Sequence, residues 1–298
     1  MGERVIYRIE QAENLDALGR IATGSVPLIY IDPPFNTGET QSRRTLTTRR
    51  ALDDAVGDRT GFGGRRYTTI ERDRRTYADA FDDYLGFLEP RLREAHRVLA
   101  PDGSLYVHLD AREVHYVKVL LDTIFGRACF INELIWAYDY GGRPKRRWPA
   151  KHDTILFYAR DTERYHFDTA EVEREPYMAP GLVTPEKRAR GKLPSSVWWH
   201  TIVSPTGREK TGYPTQKPVG VLRRIVAASS RPGDTVLDFF AGSGSAGAAA
   251  LALGRGFHLV DSNPAAIATM RRRFADVEGL EIGAPGGQLG DNHKTGDV

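Results

Sequence analysis

Residues 235–261 read TVLDFFAGSGSAGAAALALGRGFHLVD, a stretch that passes from strand to helix and back to strand. Thr235 to Leu237 is a short apolar β-type run, Ser245 to Leu253 is an alanine-rich helix former, and Phe257 to Val260 is a second apolar strand ending in Asp261. Glycines at such a turn let a ligand approach the backbone, the helix start offers free N–H groups, and an acid closing the next strand can accept both hydroxyls of a ribose. The separation of Gly242 from Asp261 is close to the roughly 20 residues found in nucleotide-binding sheets. The pattern predicts a βαβ unit that binds a nucleoside-containing ligand. Gly242, Gly244 and Gly247 also satisfy the G-x-G-x-x-G spacing, so the turn by itself accommodates NAD as well as S-adenosylmethionine, and a glycine turn serving only strand-to-helix packing is the bland alternative.

Working outward, Val219 to Ala228 and Ala265 to Phe274 have helical apolar spacing on either side of this unit. Upstream, Phe81 to Leu99 repeats the helical pattern, Pro101-Asp102-Gly103 turns the chain, and Leu105 to Leu109 is a strand. Another apolar alternation covers Arg112 to Phe125, and β-rich runs follow at Ile131 to Trp136 and Thr154 to Tyr158. Repeated βα alternation predicts an α/β, Rossmann-like fold with a twisted, mostly parallel sheet and helices on both faces. We expect one domain over residues 1–282 with a glycine-rich, disordered tail at 283–298.

The apolar run Leu28 to Ile31 empties into Asp32-Pro33-Pro34-Phe35. Two consecutive prolines stop both strand pairing and helix formation, so this is a rigid loop at a strand end. It offers a carboxylate, a proline-fixed carbonyl and an aromatic face, which suit an amino group on a planar base. An exocyclic amine is a poor nucleophile because its lone pair is conjugated into the ring. Two acceptors on its hydrogens, Asp32 and the Pro33 carbonyl, favour pyramidal nitrogen and free the lone pair. Phe35 would stack on the base, worth about 1 to 3 kcal/mol, which offsets the few kcal/mol needed to flip a base from a duplex. A proline turn merely capping a strand is the alternative for D-P-P alone.

The charge is uneven. Net charge is +3 over 298 residues, but Arg43 to Arg75 carries ten arginines against five acids, an excess suited to phosphate contacts or to a merely solvated segment. The one cysteine, Cys129, can form neither an intrachain disulfide nor a multi-cysteine metal site, and a reducing cytoplasm is the expectation. No apolar run approaches the roughly 20 residues that span a bilayer. His108, Asp110 and His152 show no zinc-ligand spacing; they receive no role and no metal is expected.

At these residues the chain resembles the beta, or permuted, group of DNA amino-methyltransferases, which act on adenine N6 or cytosine N4. The similarity extends over nearly the whole chain. It is carried by Asp32-Pro33-Pro34-Phe35, by Arg97-Val98-Leu99-Ala100-Pro101-Asp102-Gly103-Ser104, by Lys151-His152-Asp153-Thr154-Ile155-Leu156-Phe157-Tyr158, by Tyr213-Pro214-Thr215-Gln216-Lys217-Pro218 and by Phe240-Ala241-Gly242-Ser243-Gly244, in that order. The resemblance implies S-adenosylmethionine as cofactor, no metal, and double-stranded DNA as substrate, with the target base flipped out. It makes Asp32, Pro33, Pro34 and Phe35 the catalytic loop. Phe240, Gly242 and Gly244, with Asp32, Asp238 and Ser243, would line the cofactor, Asp261 would take its ribose, and Glu13 would stand near its adenine.

The resemblance also implies that Thr215, Gln216 and Lys217 close over the methionine carboxylate. Arg43, Arg44, Arg49, Arg50, Arg65 and Arg66 in an insertion at 40–76, and Arg188 and Arg190 in a target-recognition segment at 161–212, would contact DNA. Departures are Ala12-Glu13, where relatives have Gly-Asp, and Phe239, where they have proline. Asp32 favours adenine N6 and leaves cytosine N4 as the alternative. A DNA-binding relative without turnover and a nicotinamide oxidoreductase are the competing classes, and the intact Asp32 to Phe35 loop argues against both. A homodimer and a cognate restriction endonuclease stay open as further partners.

Overall fold

The computed structural model describes residues 5–36, 39–50, 59–60, 66–79 and 81–283. The chain begins with strand β1 (Tyr7–Gln11), helix α1 (Asn14–Gly19) and strand β2 (Val26–Ile31). An insertion follows as β3 (Glu39–Arg50), β4 (Arg59–Thr60) and β5 (Arg66–Asp79). Next come α2 (Tyr84–Val98), β6 (Leu99–Leu109), α3 (Val114–Phe125), β7 (Phe130–Ala137), β8 (His152–Ala159), α4 (Pro185–Arg190) and β9 (Val197–Trp199). The last part is α5 (Val219–Ser229), β10 (Thr235–Asp238), α6 (Ser245–Ala252), β11 (Gly256–Asp261), α7 (Pro264–Arg273) and β12 (Leu280–Gly283).

Nine strands form one sheet in the order β12-β1-β11-β10-β2-β6-β8-β7-β9. From β12 to β6 every pairing is parallel, β8 runs antiparallel to both β6 and β7, and β9 is parallel to β7. The expected α/β fold is therefore present. Alternation along β2 shows how it is held. Leu28 and Tyr30 point into a core with α5, α6 and α7, whereas Ile29 and Ile31 point into a second core with α1, α2 and α3. Burial of both faces explains why the strand is a nearly continuous apolar run.

Two strands at one end of the main sheet were not legible, and a third strand starts earlier than expected. β1 reads YRIEQ and only Ile9 is fully buried, so its apolar signal is one residue wide. β12, with no fully buried residue, is equally faint; of the disordered tail expected at 283–298, Gly283 instead ends β12 by pairing beside β1, and residues 284–298 lie outside the described residues. β6 does not start after Pro101-Asp102-Gly103 but includes it. The register with β2 jumps from Val26↔Leu99 to Leu28↔Ser104, so the turn is an excursion within the strand. Gly103 is required there because a Cβ would stand 2.9 Å from the carbonyl oxygens of both Val26 and Pro27.

The arginine-rich insertion is a separate antiparallel sheet, β3-β5-β4, in which Arg43 pairs with Arg75 and Arg44 with Arg74. Within residues 161–212, β9 extends the main sheet beside β7. Trp198 packs into the core at 7% exposure while Trp199 is 72% exposed, so the two neighbouring tryptophans divide between core and surface. Among the described residues no helix is long and apolar enough to cross a membrane.

Candidate active site

Connections leave the sheet in opposite directions from β10 and β2, which lie side by side in parallel with Val236 opposite Leu28 and Leu237 opposite Ile29. A crevice opens at such a switch point beyond the strand C-termini. Here it is a cavity of about 330 Å³ bordered by Asp32 after β2, Asp238 ending β10 and Asp261 ending β11. Three strand ends thus bring together two motifs that are far apart in the chain.

The glycine turn is closed by Asp261. Its Oδ2 accepts from the Gly242 N–H at 2.8 Å and its Oδ1 from the Asn263 N–H at 2.8 Å. Burial pushes its carboxyl above the ordinary carboxylate range, and these two amides pull the other way. Gly242 and Gly244 have φ of +50° and +74°, a left-handed backbone that favours glycine. Gly242 and Ser243 line the cavity; Gly244 does not. A Cβ on Gly244 would meet Phe274 at 2.9 Å and Met270 at 3.0 Å, so this glycine faces the helix α7 core and serves the turn. Asp238 is 3% exposed and its Oδ1 accepts from the Phe240 N–H at 3.0 Å. Burial holds its carboxyl well above the usual range, and the charges of Asp32 and Asp261 add to that against the opposing charge of Lys217.

The catalytic-loop candidates all border the cavity: Asp32, Pro33, Pro34 and Phe35. Tyr84 on α2 donates to the Pro34 carbonyl at 2.6 Å. Asn36, with φ of 53°, donates to Glu113 at 2.8 Å and accepts from the Phe81 N–H at 3.0 Å, so both sides of the loop are braced. Asp32 Oδ2 receives Lys217 Nζ at 2.7 Å, whereas the buried Oδ1 has no partner among the described residues. Lys217 also sits 4.5 Å from the Phe35 ring centre.

The T-Q-K segment divides. Thr215, with φ of 56°, and Lys217 line the cavity, but Gln216 does not. Its Oε1 accepts from Thr211 N–H and Oγ1 at 2.8 Å, and its Nε2 donates to the Glu209 carbonyl at 2.8 Å. That side chain pins the loop instead of touching the cavity. Lys217, only 8% exposed, turns to the nearest anion, Asp32. Glu13 does reach the wall, where it accepts from the Leu15 N–H at 2.6 Å and pairs with Arg91. Phe240 lines the wall as well.

Asn14, Phe87, Tyr213 and Asn263, which were not site candidates from the sequence, are among the further residues that line the cavity. Sequence patterns also missed a buried chain beneath the loop. Tyr30 Oη lies 2.8 Å from His108 Nδ1, His108 Nε2 lies 3.1 Å from Asp153 Oδ2, and Tyr138 Oη donates to Asp153 Oδ1 at 3.0 Å. Burial, with the charge of Asp32 next, raises the Tyr30 hydroxyl well above its ordinary value, so the hydroxyl keeps the hydrogen that a bond to the His108 ring can use. Burial opposes the Asp153 charge, yet His108, Lys217 and Tyr138 together hold its carboxyl below the ordinary range. Phe35 rests 6.0 Å from the His108 ring. This arrangement was legible only as H-L-D and H-D, two strand-end histidines without spacing to relate them.

Arg43, Arg44, Arg49 and Arg50 fall on β3 and Arg66 on β5, while Arg65 lies outside the described residues. Arg188 and Arg190 are exposed on α4. Among the described residues there is no group of three or more histidine, cysteine, aspartate or glutamate side chains that could hold a metal ion.

A DNA methylase family model matches residues 26–272. The chain is 30% identical over 274 residues to the DNA adenine methyltransferase YhdJ of Escherichia coli (strain K12), a match covering 89% of this chain and 82% of that protein. It is 28% identical over 233 residues to the type II methyltransferase M.HpaI of Haemophilus parainfluenzae, covering 78% of this chain and 62% of the other. Among solved structures, PvuII DNA methyltransferase, named as cytosine-N4-specific, superposes with a TM-score of 0.60 at 17% identity, over 92% of this chain and 88% of that one. A DNA modification methylase from Thermus thermophilus complexed with S-adenosyl-L-methionine gives 0.58 at 20% identity, over 95% and 100%.

Proposed function

The chain belongs to the DNA methylase family, the N6/N4 methyltransferases, and from that premise we propose that it transfers a methyl group from S-adenosylmethionine to adenine N6 of a base flipped out of double-stranded DNA. The observation that carries this is Asp32, a largely buried carboxylate with one oxygen held by Lys217 and the other unpartnered among the described residues, beside Phe35 and the glycine turn.

The lining residues fit the cofactor. Asp32, Asp238 and Asp261 line the cavity with one lysine, Lys217, which is paired with Asp32; a ligand with a sulfonium and an ammonium would favour the ionised forms of Asp238 and Asp261, which burial raises in its absence. Asp261 uses one lone pair of each oxygen on backbone amides, and the second pair of each stays available for ribose hydroxyls. Gly242 and Ser243 at the turn, Phe240, Thr215 and Glu13 supply the remaining walls. When bound, S-adenosylmethionine supplies an electrophilic methyl on positively charged sulfur.

The chain's own residues then act on the base. Phe35 stacks on its face and Asp32 Oδ1 accepts one amino hydrogen, with the Pro33 carbonyl as the second acceptor. The nitrogen pair would thereby be freed to take the methyl that bound S-adenosylmethionine would supply, the sulfur leaving as a neutral thioether, and Asp32 would accept the proton that the nitrogen loses. The Pro-Pro backbone keeps the acceptors fixed, so little reorganisation accompanies charge development.

Adenine is preferred because Asp32 stands at the head of the loop and because the E. coli relative is named as an adenine methyltransferase. The test is incubation with S-adenosylmethionine and unmethylated genomic DNA, followed by nucleoside mass spectrometry. N6-methyladenine is the expected product. N4-methylcytosine would replace the base assignment and keep the chemistry; absence of both, with cofactor bound, would overturn the reading.

A further inference from the structure

The connection between β7 and β8, Tyr138–Lys151, carries Arg143, Lys145, Arg146, Arg147 and Lys151 against one acid, Asp139. It was not among the segments the sequence patterns marked for DNA. Its position follows from sheet register. Ala137 pairs with His152 at the open end of β7 and β8, and Thr154 pairs with Leu109 at the C-terminal end of β6, whose neighbour β2 delivers Asp32. The loop therefore leaves the same sheet edge as the catalytic loop. With β8 and β7 two and three places from β2, it lies about 10–14 Å to the side at the usual strand spacing. That is comparable with the roughly 12 Å width of a DNA major groove.

The base of the loop is tied down and its tip is not. Tyr138 N–H donates to the Lys151 carbonyl at 2.9 Å, Tyr138 Oη to Asp153 at 3.0 Å, and Lys151 Nζ to the Gly141 carbonyl at 3.0 Å. By contrast Arg143, Lys145, Arg146 and Arg147 are exposed and form no ion pair among the described residues. Trp148 follows them at 93% exposure and Tyr140 precedes them at 61%. Pro144 and Pro149 limit the backbone freedom that docking would otherwise have to remove.

The geometry points to this loop as a contact with double-stranded DNA, in which Arg143, Lys145, Arg146 and Arg147 neutralise phosphates flanking the flipped base and the Trp148 ring packs on the nucleic acid. Four cations without an ion pair among the described residues, with an exposed indole beside them at the strand ends that deliver Asp32, are complementary to a polyanion with stacked aromatic rings. The assignment rests on the methyltransferase reading above. It supplies a phosphate contact beyond the β3–β5 arginines.

The test compares wild-type protein with the full-chain variant Arg143→Gln/Lys145→Gln/Arg146→Gln/Arg147→Gln, and with Trp148→Ala. Duplex binding is followed by fluorescence anisotropy over a salt series, and S-adenosylmethionine binding by calorimetry. The quadruple variant is expected to bind the cofactor normally while the slope of log affinity against log salt becomes shallower by about three to four. Trp148→Ala is expected to weaken duplex binding about tenfold with the slope unchanged. Wild-type affinity and slope in the quadruple variant would overturn the loop assignment while leaving methylation intact. A wild-type protein that neither binds duplex nor methylates it would overturn the methyltransferase reading together with this one.

Discussion

Lys217 Nζ stands 2.7 Å from Asp32 Oδ2, with side-chain exposures of 9% and 17%, so the T-Q-K segment and the catalytic loop are joined by a nearly buried ion pair. The pair keeps the carboxylate in one orientation and leaves the buried Oδ1 without a partner among the described residues. It also links the position of Thr215, at the cavity wall, to the position of Asp32, the proposed base acceptor.

Lys217→Met should therefore impair turnover more than DNA binding. A charged hydrogen bond contributes about 1.5–3 kcal/mol, which corresponds to a roughly 10–100-fold lower kcat. The unpaired carboxylate left behind should also lower the melting temperature, as broken buried pairs do. Steady-state kinetics with a methylatable duplex, alongside thermal unfolding, separates the two effects. An unchanged kcat would show that Lys217 does not orient Asp32.

Asp32→Ala removes the acceptor itself. Methyl transfer should fall by at least about 10²–10⁴-fold, while calorimetry still detects S-adenosylmethionine, because the glycine turn is held by Asp261 from another strand. Asp32→Asn retains the shape and one acceptor but loses the charge, and should keep a small residual rate. Full activity in Asp32→Ala would remove Asp32 from the mechanism.

The fold and the motif order could be read because both depend on local signals: apolar runs at β2, β10 and β11, glycines requiring positive φ, and prolines that end a strand. What could not be read depends on register across the sheet. His108 and Asp153 meet only because β8 returns antiparallel beside β6, a pairing that no local pattern specifies. Gln216 stands between two cavity residues in sequence yet turns toward Thr211 and Glu209, since neighbouring loop residues need not point the same way. Gly244 looks like part of a ligand turn, but its missing Cβ is a packing requirement against Phe274 and Met270.

Gly244→Ala follows from that distinction. Positive φ and contacts of 2.9 and 3.0 Å should together destabilise the protein by about 1–3 kcal/mol. Cofactor affinity should fall only through the turn's distortion. Chemical denaturation with and without S-adenosylmethionine checks this; a variant as stable as wild type would mean the turn relaxes freely.

Asp238 has its carboxyl held well above the ordinary carboxylate range by burial. The folded chain thus holds a proton that the unfolded chain has lost, so the contribution is favourable below about pH 4 and declines as pH rises through the folded value. Asp238→Asn keeps an acceptor for the Phe240 amide and removes this decline. At pH 8 the cofactor-free variant should be more stable than wild type by about 1 kcal/mol, with the difference vanishing near pH 4. Thermal unfolding across that range is decisive: a variant less stable at pH 8 would mean that the charged form is the one the fold needs.

Glu10 behaves in the opposite sense. It bonds His258 on β11 at 2.9 Å and pairs with Arg20 after α1. The His258 hydrogen bond is the largest influence and burial opposes it. With Arg20 also assisting, the carboxyl is lowered from 4.5 to about 2. A depressed carboxylate stabilises the fold above the unfolded value, and that contribution is lost as pH falls through the folded one. Glu10→Gln should cost about 1–2 kcal/mol at pH 6, a figure reduced for partial solvent screening. The gap to wild type should close progressively from about pH 4.5 down to about pH 2. Urea titrations at intervals over that window measure it directly. A gap that stays constant would assign the loss to packing between β1 and β11 instead of to the charge on Glu10.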